Sequence, residues 1–372
     1  MLPTDPWKNL SLTEAPTISQ LVPRWSPQIC GVGDYARRLG EALEQEEGWK
    51  SRYLVASRDW VGPAPNAAPL DRLHPRLLEG QLEEATRATQ GLLIHYSGYG
   101  YANRGAPFWL IRALLRLRAR GRQGPIAVMF HELSSLGSWR SSSFWNWPLQ
   151  CWILEQLTRL AKVVVTNREP YASQIRRWRV SESLPVEVLP VFSNFGEPAD
   201  LPAPENREPA MAIFGWSLPA EQIEAFRGAL TDSVAKLGAK KLIVLRQALS
   251  PEALPQIPTE SFGPLPHHEV AAQLRLCRFA FLDYNPLFLG KSGLLASFAA
   301  HGLAVVLRHG AGQLPDGLTV GHHVLSAETL GQQPNGASPQ TIAENLSEWY
   351  RGHNLAATAR VYARLLGTLA TA

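Results

Sequence analysis

Cysteine is scarce, and its placement excludes more than its number does. The 372-residue chain has three, Cys30, Cys151 and Cys277, far apart and in no Cys-x-x-Cys pair. An odd, scattered set makes neither a disulfide framework nor a zinc site, so a reducing, cytoplasmic setting is expected. Charge is sparse as well: Asp, Glu, Lys and Arg make up 18% of the residues, and the net charge is +4. So mild an excess, without Lys/Arg runs, suits an anionic ligand or an acidic membrane surface and does not argue for nucleic acid. No apolar run approaches the about 18–20 residues of a membrane span. The opening "MLPTDPWKNLSLTEAP" lacks a basic region followed by an apolar one, so no signal peptide is expected. No Asp-x-Asp pair occurs. A metal-held nucleotide sugar is therefore not expected, and neither a metal nor a cofactor is assigned.

What is present is alternation. Strand-like runs at 17–22, 51–57, 90–97, 125–131 and 162–167 alternate with helical patterns at 31–45, 107–121 and 149–161. The pattern restarts after a segment rich in Pro and Glu, "GEPADLPAPENREP" (196–209), with strands at 210–215, 241–246, 279–284, 303–307 and 322–326. Helical stretches lie near 219–237, 267–277 and 339–370. Such alternation predicts parallel sheets with helices on both faces. The expected organisation is a Rossmann-like domain over 1–195, a linker at 196–209, a second Rossmann-like domain over 210–340 and a helical segment over 341–372. The two doubly wound α/β domains are expected to face each other across a cleft.

Candidate sites follow from where strands end. Gly31 and Gly33 lie between the first strand and the first helix, where backbone N–H groups can approach an anion or simply make a tight turn. In the second half, "LGKSG" holds Gly290, Lys291 and Ser292. A triphosphate-binding loop needs a glycine where Asn285 stands, so that reading fails on spacing. A Lys point charge and a Ser at a helix N-terminus still suit a diphosphate, or else a helix cap beside a solvated Lys. Arg246 ends a strand and can fork onto a phosphate. His131 and Glu132 end the strand "PIAVMFH", at the edge where ligands bind in parallel sheets. Arg112, Arg116 and Arg120 beside apolar residues, with Trp139, Trp145, Trp147 and Trp152 nearby, fit either a membrane interface or a helix packed on the sheet.

The motif order "GVGDYARRL", "FHE" and "AAHGLAVVL", together with "GYGYANRGAP" and "SNFGEP", resembles bacterial retaining glycosyltransferases of the GT-B fold, family 4-like, over about residues 15–345. The resemblance implies a nucleotide-sugar donor, with Gly31 and Gly33 near its diphosphate, His131 at the donor sugar, and Arg246 and Lys291 at the diphosphate. A glycan or lipid-linked acceptor and hexosyl transfer in polysaccharide biosynthesis are expected with it; the missing Asp-x-Asp pair makes that transfer metal-independent, the cysteines place it in the cytoplasm, and the Arg- and Trp-rich stretch leaves peripheral contact with the inner membrane open. One departure stands out. Many members carry a pair of glutamates in the late loop and helix, the second holding the ribose, and alignment on Gly302 places Leu289 and Ser297 there. Two other readings follow. A nonhydrolysing sugar-nucleotide epimerase would use Glu132 and Asp283 as acid and base. A non-catalytic glycosyltransferase-like scaffold would need neither.

Overall fold

A computed structural model describes the backbone at residues 15–28, 30–60, 62, 64–134, 142–178, 184–215, 217–254, 256–332 and 337–370. The chain forms two compact units. One comprises Met1–Thr166, Ala172–Glu187 and Ala359–Ala372; the other comprises Asn167–Tyr171 and Val188–Thr358.

The first sheet holds β1 (Thr17–Val22), β2 (Lys50–Val55), β3 (Ala67–Pro69), β4 (Leu92–Tyr96), β5 (Ile126–Phe130), β6 (Val163–Thr166) and β7 (Val186–Val188), in the order β3-β2-β1-β4-β5-β6-β7. Strands β1 to β6 pair in parallel. Every residue of β4 and β5 is buried, as a sheet covered on both faces requires. The accompanying helices are α1 (Gly31–Glu47), α2 (Pro75–Arg87), α3 (Gly98–Tyr101), α4 (Phe108–Ala119), α5 (Ser142–Leu160) and α6 (Glu169–Trp178). Helix α1 buries Tyr35, Ala36, Leu39 and Leu43 on one stripe. It stops at Gly48, whose φ of 71° lets its N–H turn back onto the carbonyls of Leu43 and Glu44.

The second sheet holds β8 (Glu208–Phe214), β9 (Lys241–Leu245), β10 (Thr259–Ser261), β11 (Cys277–Leu282), β12 (Ala304–Leu307) and β13 (Leu325–Ser326), all parallel, in the order β10-β9-β8-β11-β12-β13. Its helices are α7 (Ala220–Leu237), α8 (His267–Leu276), α9 (Gly293–Ala300) and α10 (Pro339–Arg351), and α11 (Leu355–Ala370) closes the chain. In both sheets the strand order reverses direction once, between β1 and β4 and between β8 and β11. The carboxyl ends of strands at such reversals are where ligands bind in open α/β sheets.

Two details differ from the sequence reading. Helix α5 starts at Ser142, well before 149, and carries Pro148 inside it. The Pro-rich segment 196–209 lies wholly within the second unit, whereas most of α11 belongs to the first. That segment is held down by Arg207, which donates to the carbonyls of Pro202 (3.0 Å), His301 (2.7 Å) and Gly302 (3.0 Å). Three bonds donated by one guanidinium make a fastened strap of what its composition suggests is a loose connector.

Candidate active site

At the carboxyl edge of the second sheet, the chain after β11 runs through Asp283 and a short 3-10 segment, Pro286–Lys291, into α9. Asn285 starts that segment by accepting from Leu287 N–H at 3.0 Å. Ser292 caps α9, its Oγ accepting from Leu295 N–H at 3.2 Å, and it is buried. Gly290 packs so tightly that an added Cβ would sit 2.5 Å from Asp316 Oδ2 and 2.8 Å from Asn167 O. Lys291 between them is half-buried. The loop is braced by Arg168, a buried residue whose guanidinium lies over the Phe288 ring, 4.1 Å from its centroid, and 4.5 Å from that of Tyr171. Desolvation raises the Asp316 carboxyl above its ordinary value.

Arg246, directly after β9, is exposed and has a φ of 74°. Left-handed backbone at a non-glycine residue costs of order 1 kcal/mol or more and gathers at functional loops. Its neighbour Gln247 presses its carbonyl against Gly215, just after β8; a Cβ on Gly215 would fall 1.7 Å from that oxygen. Asp283 is bound to Arg308 at 2.6 Å, both at strand ends and both largely shielded. Arg308 is a cation that the sequence reading missed. Its pairing with Asp283 also occupies the carboxylate on which the epimerase reading drew. The carboxyl edge of this sheet thus carries Arg246 after β9 and Lys291 before α9, with two tight glycines and one helix N-terminus, features suited to an anion, while Arg308 and Asp283 neutralise each other.

Ser297, where the resemblance leads one to expect a ribose-binding glutamate, is fully buried. Its Oγ donates to Gly293 O (2.6 Å), accepts from Asn194 N–H (3.1 Å) and meets Ser193 Oγ (3.1 Å). Ser193 N–H in turn donates to the Tyr350 hydroxyl at 2.9 Å, and that hydroxyl donates to Glu197. "SNFGEP" is thus sewn onto α9 and α10 through hydroxyls. Leu289, at the other glutamate position, is core.

In the first unit, His131 follows β5 and is buried beside His95 on β4, with His95 Nδ1 3.2 Å from His131 Nε2. His95 Nε2 lies 2.7 Å from Gln20 Oε1 on β1, and Gln20 Nε2 donates to Ser51 Oγ on β2 at 2.8 Å. Tyr35 of α1 sets its ring at 84° to that of His131, with centroids 4.9 Å apart. Burial first, and then the neighbouring His131, push His95 well below the usual imidazole value, so it is neutral at physiological pH. Glu132 accepts from Ser97 Oγ at 3.2 Å.

Gly31 and Gly33 have unlike roles. A Cβ on Gly33 would meet Arg24 O at 2.4 Å, whereas Gly31, the first residue of α1, has open space around it. Gly33→Ala is therefore expected to lower stability by about 1–3 kcal/mol, as overpacking does. Gly31→Ala is expected to leave stability within about 1 kcal/mol of the parent. Urea midpoints of the two variants check this. A Gly33→Ala midpoint equal to that of the parent would remove the packing role.

The basic helix that suggested a membrane surface is largely engaged within the fold. Arg116 of α4 and Arg120 just after it both bind the buried Glu79 of α2, at 3.2 and 2.5 Å. Trp145 is 73% exposed and Trp147 is 38% exposed, while Trp139 lies outside the described residues. Among the described residues no helix is long and apolar enough to cross a membrane, and no group of three or more His, Cys, Asp or Glu could hold a metal ion. A cavity of about 600 Å³ opens at the amino ends of β11 and β12, away from the cationic edge.

No protein-family model matches the sequence, and no curated protein is similar to it. Solved structures do match. A glycosyltransferase from Rickettsia africae superposes with a TM-score of 0.60 at 10% identity, covering 95% of this chain and 98% of its own. The Anabaena HepE protein, solved with UDP and glucose, gives 0.57 at 11% identity, covering 94% of this chain and 99% of its own. The fold is GT-B. An α,α-trehalose-phosphate synthase (UDP-forming) from Burkholderia xenovorans, bound to glucose-6-phosphate, gives 0.56 at 12% identity over 95% of this chain and 100% of its own. In a GT-B chain each unit is one doubly wound sheet, and the two strand-order reversals described above, one in each sheet, are the ligand-binding edges that such a fold offers.

Proposed function

We propose that this chain is a retaining, metal-independent glycosyltransferase that moves a hexose from a nucleoside diphosphate sugar to a glycan or lipid-linked acceptor. The observation that carries the reading is the carboxyl edge of the second sheet, where Arg246 directly follows β9 and Lys291 lies between Gly290 and the start of α9. Lys291 and Arg246 bind the donor diphosphate and stabilise it as it leaves; the free N–H groups of α9 add to the field. His131 hydrogen-bonds the transferred sugar, and Glu132, held by Ser97, lies next to it in the chain. The similar HepE structure, solved with UDP and glucose, supports a uridine nucleotide as the first donor to try. Phe144, Trp145 and Trp147, exposed at the start of α5, are the surface offered to a lipid-linked acceptor or a membrane, at the cytoplasmic face.

Ser297 in place of a ribose-binding carboxylate favours the second reading, a scaffold without catalysis. One experiment separates the two. Thermal shift against a panel of nucleotide sugars, followed by transfer assays with the sugar that raises the melting temperature most, should find one stabilising donor and one glycosylated product. Stabilisation by none of the panel would sink the donor reading and leave the scaffold.

A further inference from the structure

The cavity of about 600 Å³ at the amino ends of β11 and β12 is lined by residues of the second unit, and sugar transfer at the opposite edge makes no use of it. Leu201, Pro202, Phe279, Ala304 and Ala343 give it apolar walls, and Arg207 and Arg278 give it charge. Arg207 is only 6% exposed, yet the bonds from its Nε and Nη1 all go to backbone carbonyls, none to a carboxylate. Its Nη2 donates to no described residue and stands beside Gly302 of the cavity wall, where an added Cβ would lie 3.2 Å from it. Arg278, half-buried, repeats the pattern. Its Nε donates to Arg207 O at 2.8 Å and its Nη2 to Glu205 O at 3.1 Å, which leaves Nη1 over. Two glutamates at the rim, Glu205 and Glu344, are exposed and pair with neither arginine; Glu344 accepts from Gln340 Nε2 at 2.9 Å instead. Helix α10 brings its first residues, Pro339 and Gln340, to the same cavity, so the positive end of its dipole adds to the field. A buried cation is ordinarily paired, because desolvating a lone charge is costly. Two neighbouring guanidiniums without a carboxylate are completed by an arriving anion.

We propose that this cavity binds a soluble phosphate monoester with a compact apolar body, its phosphate at Arg207 and Arg278 and its body against Pro202, Phe279 and Ala343. A phosphate monoester is close to a dianion at neutral pH and matches two unpaired guanidiniums, whereas a carboxylate offsets only one. The volume lies within the roughly 300–1,000 Å³ of small-molecule sites, and mostly apolar walls with a few placed charges are the usual lining of such sites. The site is separate from the proposed donor edge and does not depend on the glycosyltransferase reading.

The test is calorimetry on the full chain with phenyl phosphate as the probe, beside inorganic phosphate and benzoate. Phenyl phosphate should bind about ten-fold or more tightly than inorganic phosphate, because the ring is buried, and than benzoate, because of the second charge. Arg278→Gln should weaken it about ten-fold or more by removing a charge-assisted bond. Ala343→Leu, which fills the cavity and keeps both arginines, should weaken it as much. Arg207→Gln would also unfasten the strap at 202, so the other two variants, checked for folding by circular dichroism, decide. Lys291→Ala should bind the probe as the parent does. Absence of binding at millimolar phenyl phosphate would overturn the proposal, as would affinity unchanged in Arg278→Gln and Ala343→Leu. Binding lost in Lys291→Ala would move the probe to the donor edge and overturn it too. Benzoate or inorganic phosphate bound as tightly as phenyl phosphate would refute the stated ligand class. Arg278-dependent sedimentation with phosphatidic acid vesicles would make the ligand a lipid and refute a soluble one. If the parent binds no nucleoside diphosphate, the donor reading falls and this measurement stands.

Discussion

His131→Ala should lower sugar transfer by about a hundred-fold or more, which corresponds to roughly 2.7 kcal/mol of barrier. The residue sits at the carboxyl end of a fully buried strand, ringed by His95 and Tyr35. Truncation also leaves His95 Nδ1 without its ring partner, at a cost of about 1–2 kcal/mol of stability. That loss is survivable, since a domain holds about 5–15 kcal/mol against unfolding. The decisive comparison is therefore turnover per folded molecule, with folding followed by circular dichroism. A variant that stays folded and keeps near-normal turnover would reduce His131 to a satisfied core histidine.

Lys291→Ala should weaken nucleoside diphosphate binding about ten- to a hundred-fold. One charge-assisted hydrogen bond contributes roughly 1.5–3 kcal/mol, and each 1.4 kcal/mol is tenfold in affinity. Stability should hardly change, because the backbone on either side is fixed without the Lys side chain: Gly290 O accepts from Val191 N–H at 2.9 Å, and Ser292 caps α9. The free nucleoside carries no phosphate and should bind parent and variant alike. Calorimetry with UDP, GDP and the nucleosides measures all of this. Equal diphosphate affinity in parent and variant would mean that the loop is only a packed turn. Ser292→Ala, by contrast, should read mainly as a lost cap, about 1 kcal/mol of stability, because its oxygen is already taken by Leu295 N–H.

Much of the architecture was legible in the sequence because long parallel strands announce themselves. "TISQLV" is β1 with the expected ends, and "KLIVL" is β9. The strands that escaped notice are the edges, Ala67–Pro69, Val186–Val188 and Thr259–Ser261, three residues each and mostly half-exposed, too short to show a period. Helix α2 had a readable signal, Leu78, Leu82 and Ala85 on one stripe with Pro75 at its start. Helix α5 was expected to begin after Pro148, whereas the structure carries the proline within it. The site was legible one residue at a time and not in its pairings. His131, Lys291 and Arg246 could be picked out because strand ends mark them. His95, which meets His131, and Gln20, which meets His95, come from two other strands. Arg308 reaches Asp283 from the next strand over, 25 positions along the chain. Arg168 lies over the ring of Phe288, a residue far along the chain. Such pairings are products of the tertiary fold, and a linear pattern does not hold them.

The hydroxyl knot at Ser297 limits what substitution can do to this protein. A carboxylate placed there alone would enter a fully buried position whose neighbours, Ser193, Asn194 and the Gly293 carbonyl, are already spoken for. An unpaired buried charge costs several kcal/mol. Ser297→Glu would also have to displace the "SNF" turn, and with it the Tyr350–Glu197 pair on α10. Changes at residues so closely coupled do not add. A glutamate-based ribose site thus lies several simultaneous substitutions away from this chain, with each single step downhill in stability: an epistatic barrier built of serines, which makes this edge of the second sheet hard to convert by stepwise mutation.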